Sequence, residues 1–495
     1  MSVLLAILAL ANQTPGPDSV AAERAMERAV RFFRSSVACN GGYLWRYSAD
    51  LSKREGEGKA EPDCVWVQPP GTPAVGMAYL RAYESTRRPY LLDAAREAGG
   101  CLVRGQLRSG GWAHEIRFDP AARKRYAYRT DELQPGALNV STLDDDMSQS
   151  AIRFLVHLDH VLGGRDRVVR EAADYALDAI IGAQHPNGAW PQGFSAPNRS
   201  SGRPVKAASF PAQWSRVHPG GRYWDHYTLN DDVMGTTIAT LLDAHDVRGE
   251  ARLRDAAVRG GDFLILAQLP DPQPGWAQQY DADMHPSWAR KFEPPAITGG
   301  ESQQVMRILI ALAERTGQTR FLAPIPKALA YYRRLLLPDG RLARFYEIGT
   351  DRPLYFTRAY NLTYDDGDTP THYSFKVGSR LDAIERELRR VSELIRAGKA
   401  PLKPTPAAGT PPSAEAVRQV IAELDDRGAW VESGRLQYHG DTDDTDRIIS
   451  CETFIGNLDT LSRFIAAERA RVSRTSSRTP NAKHKVRVDT DGDQR

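Results

Sequence analysis

The chain has 495 residues, 41% of them hydrophobic and 26% charged, enough apolar material for a large core. Its 65 Lys and Arg stand against 62 Asp and Glu, and a net charge of +3 excludes nucleic acid as the expected partner. The basic excess is local: residues 471–495 carry seven Lys/Arg against three Asp and read as a disordered tail.

Met1 to Ala11 is a short apolar run ending in Ala9-Leu10-Ala11, a small-residue cleavage pattern. Residues 1–17 therefore read as signal-peptide-like and predict a secreted or periplasmic protein, although no Lys or Arg precedes the run. The run is too short to span a bilayer, and no other segment is long and apolar enough. Cys39, Cys64, Cys101 and Cys451 lack CxxC or zinc-finger spacing, which argues against structural zinc. In an exported protein one disulfide among the first three and buried free thiols are equal alternatives.

From there the sequence repeats. Gln106-Leu-Arg-Ser-Gly110-Gly111-Trp112, Gln184-His-Pro-Asn-Gly188-Ala189-Trp190 and the looser Gln268…Gly275-Trp276 end successive rounds, and Pro338-Asp-Gly340 holds the same place in a fourth. Intervals of roughly 70 to 90 residues suit one helix pair plus a long loop. Val169, Ala172, Ala173, Ala176, Leu177 and Ile180 form one helical stripe, as do Val305, Ile308, Leu309 and Leu312. Turns inside a pair are short (Leu162-Gly163-Gly164-Arg165; Val247-Arg248-Gly249), while pairs are joined by long loops. The prediction is an all-α fold, an (α/α) toroid or barrel of repeated helix pairs over residues 18–397, with small β-hairpins in the long loops. A Pro/Ala linker at 398–413 leads to additional, ring-closing helices at 414–470. A monomer is expected. Long loops share one rim, and that rim is where binding residues are expected.

Two acidic clusters fall there. Asp144-Asp145-Asp146 and Asn230-Asp231-Asp232 each precede a helix, and Glu301 precedes another. Helix capping explains one Asp per site, but adjacent carboxylates repel and invite a hard divalent cation with oxygen ligands. Asp144, Asp145, Asp231 and Asp232 are the candidate ligands. On the same rim lie Arg290, Arg344, Arg352 and Arg358, with Glu293 and Glu347 as possible partners. Arginines bind carboxylates bidentately, and with Trp190 and Trp288 as flat faces the set suits an acidic polysaccharide.

The ordered segments Ser141-Thr-Leu-Asp144-Asp145, Gly188-Ala-Trp-Pro-Gln192, Leu229-Asn-Asp231-Asp232, Trp276-Ala-Gln-Gln-Tyr-Asp281, Trp288-Ala-Arg290-Lys-Phe-Glu293, Gly299-Gly-Glu-Ser302 and Phe345-Tyr-Glu-Ile-Gly-Thr-Asp-Arg-Pro353 resemble the pectic acid lyases of polysaccharide lyase family ten. The resemblance implies an α/α toroid that cleaves polygalacturonate by β-elimination with Ca2+. Carried over by position, Asp144 and one of Asp231/Asp232 resemble calcium ligands. Arg290 resembles the proton-abstracting base, and Arg344 and Arg358 resemble binders of the substrate carboxylate. The chain departs from the family at Asp145, where an Asn is usual, and at Ala359-Tyr360 after Arg358, and it continues well past the family core.

Three other readings compete. The Gln…Gly-x-Trp turns also fit squalene-hopene-type cyclases, but Leu143-Asp-Asp-Asp146 lacks the first Asp of their acid motif, and aromatics are only 8%. A hydrolase on the same scaffold would use Asp144 and Asp231 as acid and base. A carbohydrate-binding protein with a dead site is the non-enzymatic alternative.

Overall fold

The computed structural model describes residues 17–197, 204–402 and 410–476. Most of the signal-like segment, residues 403–409 of the linker and residues 477–495 of the basic tail lie outside them. The helices are α1 (Pro17–Phe32), α2 (Thr72–Thr86), α3 (Pro89–Gly105), the single turn α4 (Pro120–Arg123), α5 (Met147–Val161), α6 (Arg167–Gly182), α7 (Val233–Arg248), α8 (Ala251–Leu266), α9 (Gly300–Thr316), α10 (Ile325–Arg334), α11 (Leu381–Arg396), α12 (Ala414–Ala422) and α13 (Cys451–Ser476).

The expected pairs are α2/α3, α5/α6, α7/α8 and α9/α10, and their stripes account for the packing. In α6 the Asp166 carboxylate accepts from the amides of Val168 and Val169, starting the helix. The stripe Val169, Ala172, Ala173, Ala176, Leu177, Ile180 is then wholly buried. The first helices of successive pairs touch in a row, α2 to α5 to α7 to α9 to α11.

Each pair is framed by two short strands that join it into a unit of strand, helix, helix, strand. Cys64–Trp66 pairs with Glu115–Arg117 around α2/α3, and Ser141–Thr142 with Gly193–Phe194 around α5/α6. Tyr227–Thr228 pairs with Gln279–Tyr280 around α7/α8, and Ile297–Thr298 with Phe345–Tyr346 around α9/α10. These ladders tie the loop before a helix pair to the loop after it, and the small hairpins expected within loops occur beside them, as where Phe345–Tyr346 pairs with Pro353–Leu354 and Tyr355–Phe356 with Leu362–Thr363. At two or three residues the framing strands are too short to show alternation in sequence.

The same unit recurs once more, split between the chain ends. Arg447–Ser450 leads into α13, α13 packs on α1 and α2, and Arg46–Ser48 after α1 pairs back with Arg447–Ser450. The carboxylate of Glu55, wholly buried, accepts from the amides of Gln437 and Tyr438 and fastens the two ends again. The segment expected at 414–470 therefore completes the N-terminal round. Its last helix runs to Ser476, beyond the boundary expected near residue 470.

The Gly-Trp turns are the bolts between rounds. Gln184 Nε2 donates to Gly188 O in its own turn and to Ala256 O in α8, the second helix of the next pair. Gln106 and Gln268 repeat this arrangement. Gly188 has φ +95° and lies against the backbone of Arg259, where a side chain would not fit. Gly428 stands in the same way on Arg28 of α1, which puts α1 in the place of a next-round helix. The indoles of Trp112, Trp190, Trp276 and Trp430 each donate to a carbonyl of the preceding helix at 2.8 Å. Trp190 is 0% exposed, so its expected role as a sugar platform is corrected to a structural one. Trp190→Ala is expected to cost about 3–5 kcal/mol, read as a lower denaturant midpoint at unchanged slope.

All four cysteines are free thiols, with Cys64, Cys101 and Cys451 buried, so the disulfide alternative is not realised. Among the described residues, no helix is long and apolar enough to cross a membrane.

Candidate active site

The long loops converge on one rim and bring the two acidic clusters together. Each occupies a short turn before its helix, Asp144–Asp146 before α5 and Asn230–Asp232 before α7, and the two turns touch. Asp145 and Asp146 have φ of +44° and +62°, and Asp231 and Asp232 have +51° and +55°. Paired left-handed residues other than glycine are costly, about 1–3 kcal/mol each. None of these Asp side chains caps its helix. The backbone is bent to aim carboxylates, and capping does not explain them.

Ligand oxygens of Asp144, Asp145 and Asp231 all lie within 4.8 Å of one another. Burial, then repulsion from Asp144 and Glu57, pushes the Asp145 carboxyl up to about 6. Burial and the charges of Asp144 and Asp145 push Asp231 well above the usual carboxylate range, while Arg290 pulls it back. Asp144 Oδ1 is buried and has no hydrogen-bond partner. Gln68 Nε2 donates to Asp145 Oδ2 at 2.9 Å, and Asn230 Nδ2 to Asp231 Oδ2 at 2.7 Å, orienting the outer oxygens. A close trio of half-buried, mutually repelling carboxylates with a bare acceptor fits a hard divalent cation. Asp232 is not part of the trio. Burial and Asp146 push it up to about 6, and Arg307 opposes them.

Arg290 faces this trio electrostatically. Its Nε and Nη2 donate to Glu293 at 2.7 and 2.5 Å, and Glu293 is fully buried in its side chain. Nη1 has no hydrogen-bond partner among the described residues. Burial works against the charge on Arg290, but the hydrogen bonds and charge of Glu293 outweigh it and hold the guanidinium protonated. The loop is seated on a small aromatic cluster of Trp288, Phe292, Phe345, Phe356 and Phe375. Trp288 belongs to that support: its indole donates to Ser215 O at 2.9 Å and the residue is 7% exposed, so it too is no open platform.

A hydrogen-bonded chain links the parts. Tyr373 Oη donates to Glu293 Oε1 at 3.0 Å and accepts from Gln278 Nε2 at 3.1 Å. Gln278 also reaches Asn230 and Glu301, and Glu301 meets Arg344 Nη1 at 3.4 Å. The Arg344 and Arg290 guanidiniums sit 4.6 and 5.6 Å from the Tyr373 ring centroid. One tyrosine thus holds both arginines beside the carboxylate trio.

Residues 106–340 match the family model of pectic acid lyase. Through that segment the chain is similar to the pectic acid lyase family. It is an enzyme of the polysaccharide lyase class. Among solved structures it is similar to a family 10 polysaccharide lyase from Cellvibrio cellulosa, at 20% identity over 64% of this chain and 97% of that one, TM-score 0.45. A variant of that lyase in complex with trigalacturonic acid matches at 19% identity over 64% and 98%, TM-score 0.45. D-mannose isomerase matches at 13% over 92% and 100%, TM-score 0.44. Among curated proteins none matches the chain.

The structure brings Asp144, Asp145, Asp231, Arg290 and Arg344 together. Arg358 does not join them: its side chain is 71% exposed and lies 3.4 Å from Asp368. Arg352 stacks 3.4 Å from the Tyr364 ring centroid, and Tyr364 donates to Glu347. Glu347 is the partner of Arg216, not of the candidate arginines. Gln68, Gln278 and Tyr373 were not legible as site residues. Gln68 and Tyr373 lie outside the family segment, and Gln278 had only its place two residues after Trp276 as a signal.

Proposed function

We propose that this lyase cleaves polygalacturonate by calcium-dependent β-elimination. The observation that carries the reading is the trio Asp144, Asp145 and Asp231 facing the Arg290–Glu293 pair within the family segment. Ca2+ held by the trio would supply positive charge to the C6 carboxylate of a galacturonate residue, acidifying its C5 proton. Arg344, its side chain 21% exposed, is placed to take the same carboxylate or its neighbour.

The awkward part is the base, because an arginine pKa above about 12 leaves almost no free base. The bidentate contact offers a route. By holding Nε and Nη2 it leaves Nη1 to lose a proton to solvent; the resulting Nη1 imine accepts the C5 proton, and Arg290 regains its cationic form. The C5–H electrons form the C4–C5 double bond, the C4–O4 bond breaks, and the departing oxygen takes a proton from solvent. Arg290 becomes a positive charge beside the carbanion-like state as it takes the proton, which is where electrostatic preorganisation is most effective.

The hydrolase alternative fits the distances less well. Retaining and inverting glycosidases hold their carboxyl groups about 5–5.5 and 6.5–9.5 Å apart, wider than the oxygens of this trio. We further infer that the helix pairs close into an (α/α) toroid, supported by the unit shared between the chain ends. Secretion or export to the periplasm is supported by the apolar leader-like run and by the polymeric substrate. Incubating the protein with polygalacturonate and Ca2+ should generate ultraviolet absorbance from the conjugated product, abolished by chelator. New reducing ends without that absorbance would mean hydrolysis and overturn the lyase reading.

A further inference from the structure

Beside the carboxylate trio, and sharing its wall, lies a second cavity of about 420 Å3. That size is within the ~300–1,000 Å3 range of small-ligand sites. Asp232, Glu301, Arg307, Arg344 and Arg380 line it. It is tied to the proposed reaction centre by its lining: Asp232 follows the trio member Asp231, and Arg344 and Glu301 belong to the hydrogen-bonded chain that reaches Tyr373 and Glu293.

Three features mark it as built for a ligand. The first is a pair of cations without a bonded partner. Among the described residues the guanidiniums of Arg307 and Arg380 make no hydrogen bond or ion pair, and Arg307 acts on Asp232 only through its charge. Both residues are exposed to the cavity side. The second is an unmet acceptor. Glu301 is 4% exposed, its Oε1 is taken by Gln278 and Arg344, and its Oε2 is buried without any partner. A buried carboxylate oxygen left without a donor is costly, and a ligand hydroxyl would relieve it. The third is rigidity. Arg380 comes from beyond the family segment, and its backbone is pinned: Gln303 Nε2 donates to Gly378 O at 3.1 Å, and the Arg380 amide donates to Gln303 Oε1 at 2.5 Å. Leu342–Ala343 pairs with Lys376–Val377 to hold the same segment.

A hydroxyl donor facing Glu301 and a carboxylate facing Arg307 and Arg380 together describe a hexuronate ring. We propose that this cavity is a uronate subsite, in which Arg307 and Arg380 bind the carboxylate of the sugar next to the one being cleaved and Glu301 accepts one of its hydroxyls. The proposal rests on the polygalacturonate reading of the adjacent centre. It makes residues 376–380, a part of the chain outside the family segment, a determinant of substrate binding.

The test uses the full chain and the double variants Arg307→Ala/Arg380→Ala and Arg307→Lys/Arg380→Lys, each checked for an unchanged melting profile. Cleavage of polygalacturonate is measured with Ca2+, and trigalacturonate binding is measured by calorimetry in chelator, where no turnover occurs. The alanine pair is expected to raise KM and weaken trigalacturonate binding about tenfold or more, with a smaller fall in kcat, and the lysine pair to recover part of both. An alanine pair that binds and cleaves like the parent overturns the subsite and leaves the lyase reading standing. A parent protein that neither binds nor cleaves galacturonate overturns the reading beneath it as well.

Discussion

Arg290→Ala is expected to lower kcat on polygalacturonate by about 10³-fold, within the 10²–10⁴ range of positioned acid–base groups. The single variant also carries a stability defect, because Glu293 is fully buried in its side chain and would lose its cation. Breaking one side of a buried pair typically costs about 3–5 kcal/mol. Two further variants separate chemistry from folding. Arg290→Ala/Glu293→Gln removes the stranded charge and should regain most of the lost stability while remaining inactive. Glu293→Gln alone keeps the shape and the Tyr373 contact but loses the charged bidentate contact that fixes Nε and Nη2, so kcat should fall about 10–100-fold while KM moves little. If Arg290→Ala retains a tenth of the parental kcat, Arg290 is not the base. If Glu293→Gln is fully active, the pair does not act as a unit.

Helix pairs were legible in the sequence because a buried stripe repeats with the helical period and because each round ends in a Gly-Trp turn. Those turns misled at one point. Trp190 looked like a sugar platform, but a tryptophan in such a turn is consumed by the packing, its indole N–H bound to Ile180 O. The acidic trio was legible from charge adjacency, since capping needs one carboxylate and here there were several. What separated Asp231 from Asp232 was backbone geometry: consecutive left-handed residues send neighbouring side chains in different directions, and only Asp231 meets Asp144 and Asp145. Arg358 shows the limit of positional transfer, because its loop departs from the family at Ala359-Tyr360 and carries the guanidinium to Asp368. Gln68 and Tyr373 are single polar residues in irregular loops, with no period or motif to announce them. The unit shared by α13 and α1 was legible only as ring-closing helices at 414–470, not as a round shared with α1, because a repeat divided between the two ends has no interval to measure.

Asp231→Asn is expected to have opposite effects with and without a divalent ion. In metal-free protein, burial and the neighbouring charges of Asp144 and Asp145 raise the Asp231 pKa, and Asp145 is raised to about 6. The folded chain therefore holds these protons more tightly than the unfolded chain, whose Asp groups titrate near 3.8. The sign follows from proton linkage: where the folded state binds more protons, stability falls as pH rises. For Asp145 the loss begins near pH 4 and is complete above about 6, and Asp231 continues it to higher pH. Metal-free parent protein should thus melt progressively lower across this window, beyond any slope the Asp231→Asn variant shows. Removing one of the repelling charges should raise the metal-free melting temperature by about 1–3 °C. Ca2+ reverses the ranking. At 100 times its dissociation constant a ligand of the folded state adds about 2.7 kcal/mol, so the parent should gain several degrees, more at pH 8 than at pH 5, while the variant gains little. Lyase activity of the variant should fall at least about 100-fold. A parent whose melting temperature ignores Ca2+ at pH 8, or a variant that responds as the parent does, would remove Asp231 from the ion site. A calcium response surviving in Asp231→Asn but lost in Asp232→Asn would place the ion in the wrong member of the pair and reassign the role of the left-handed turn.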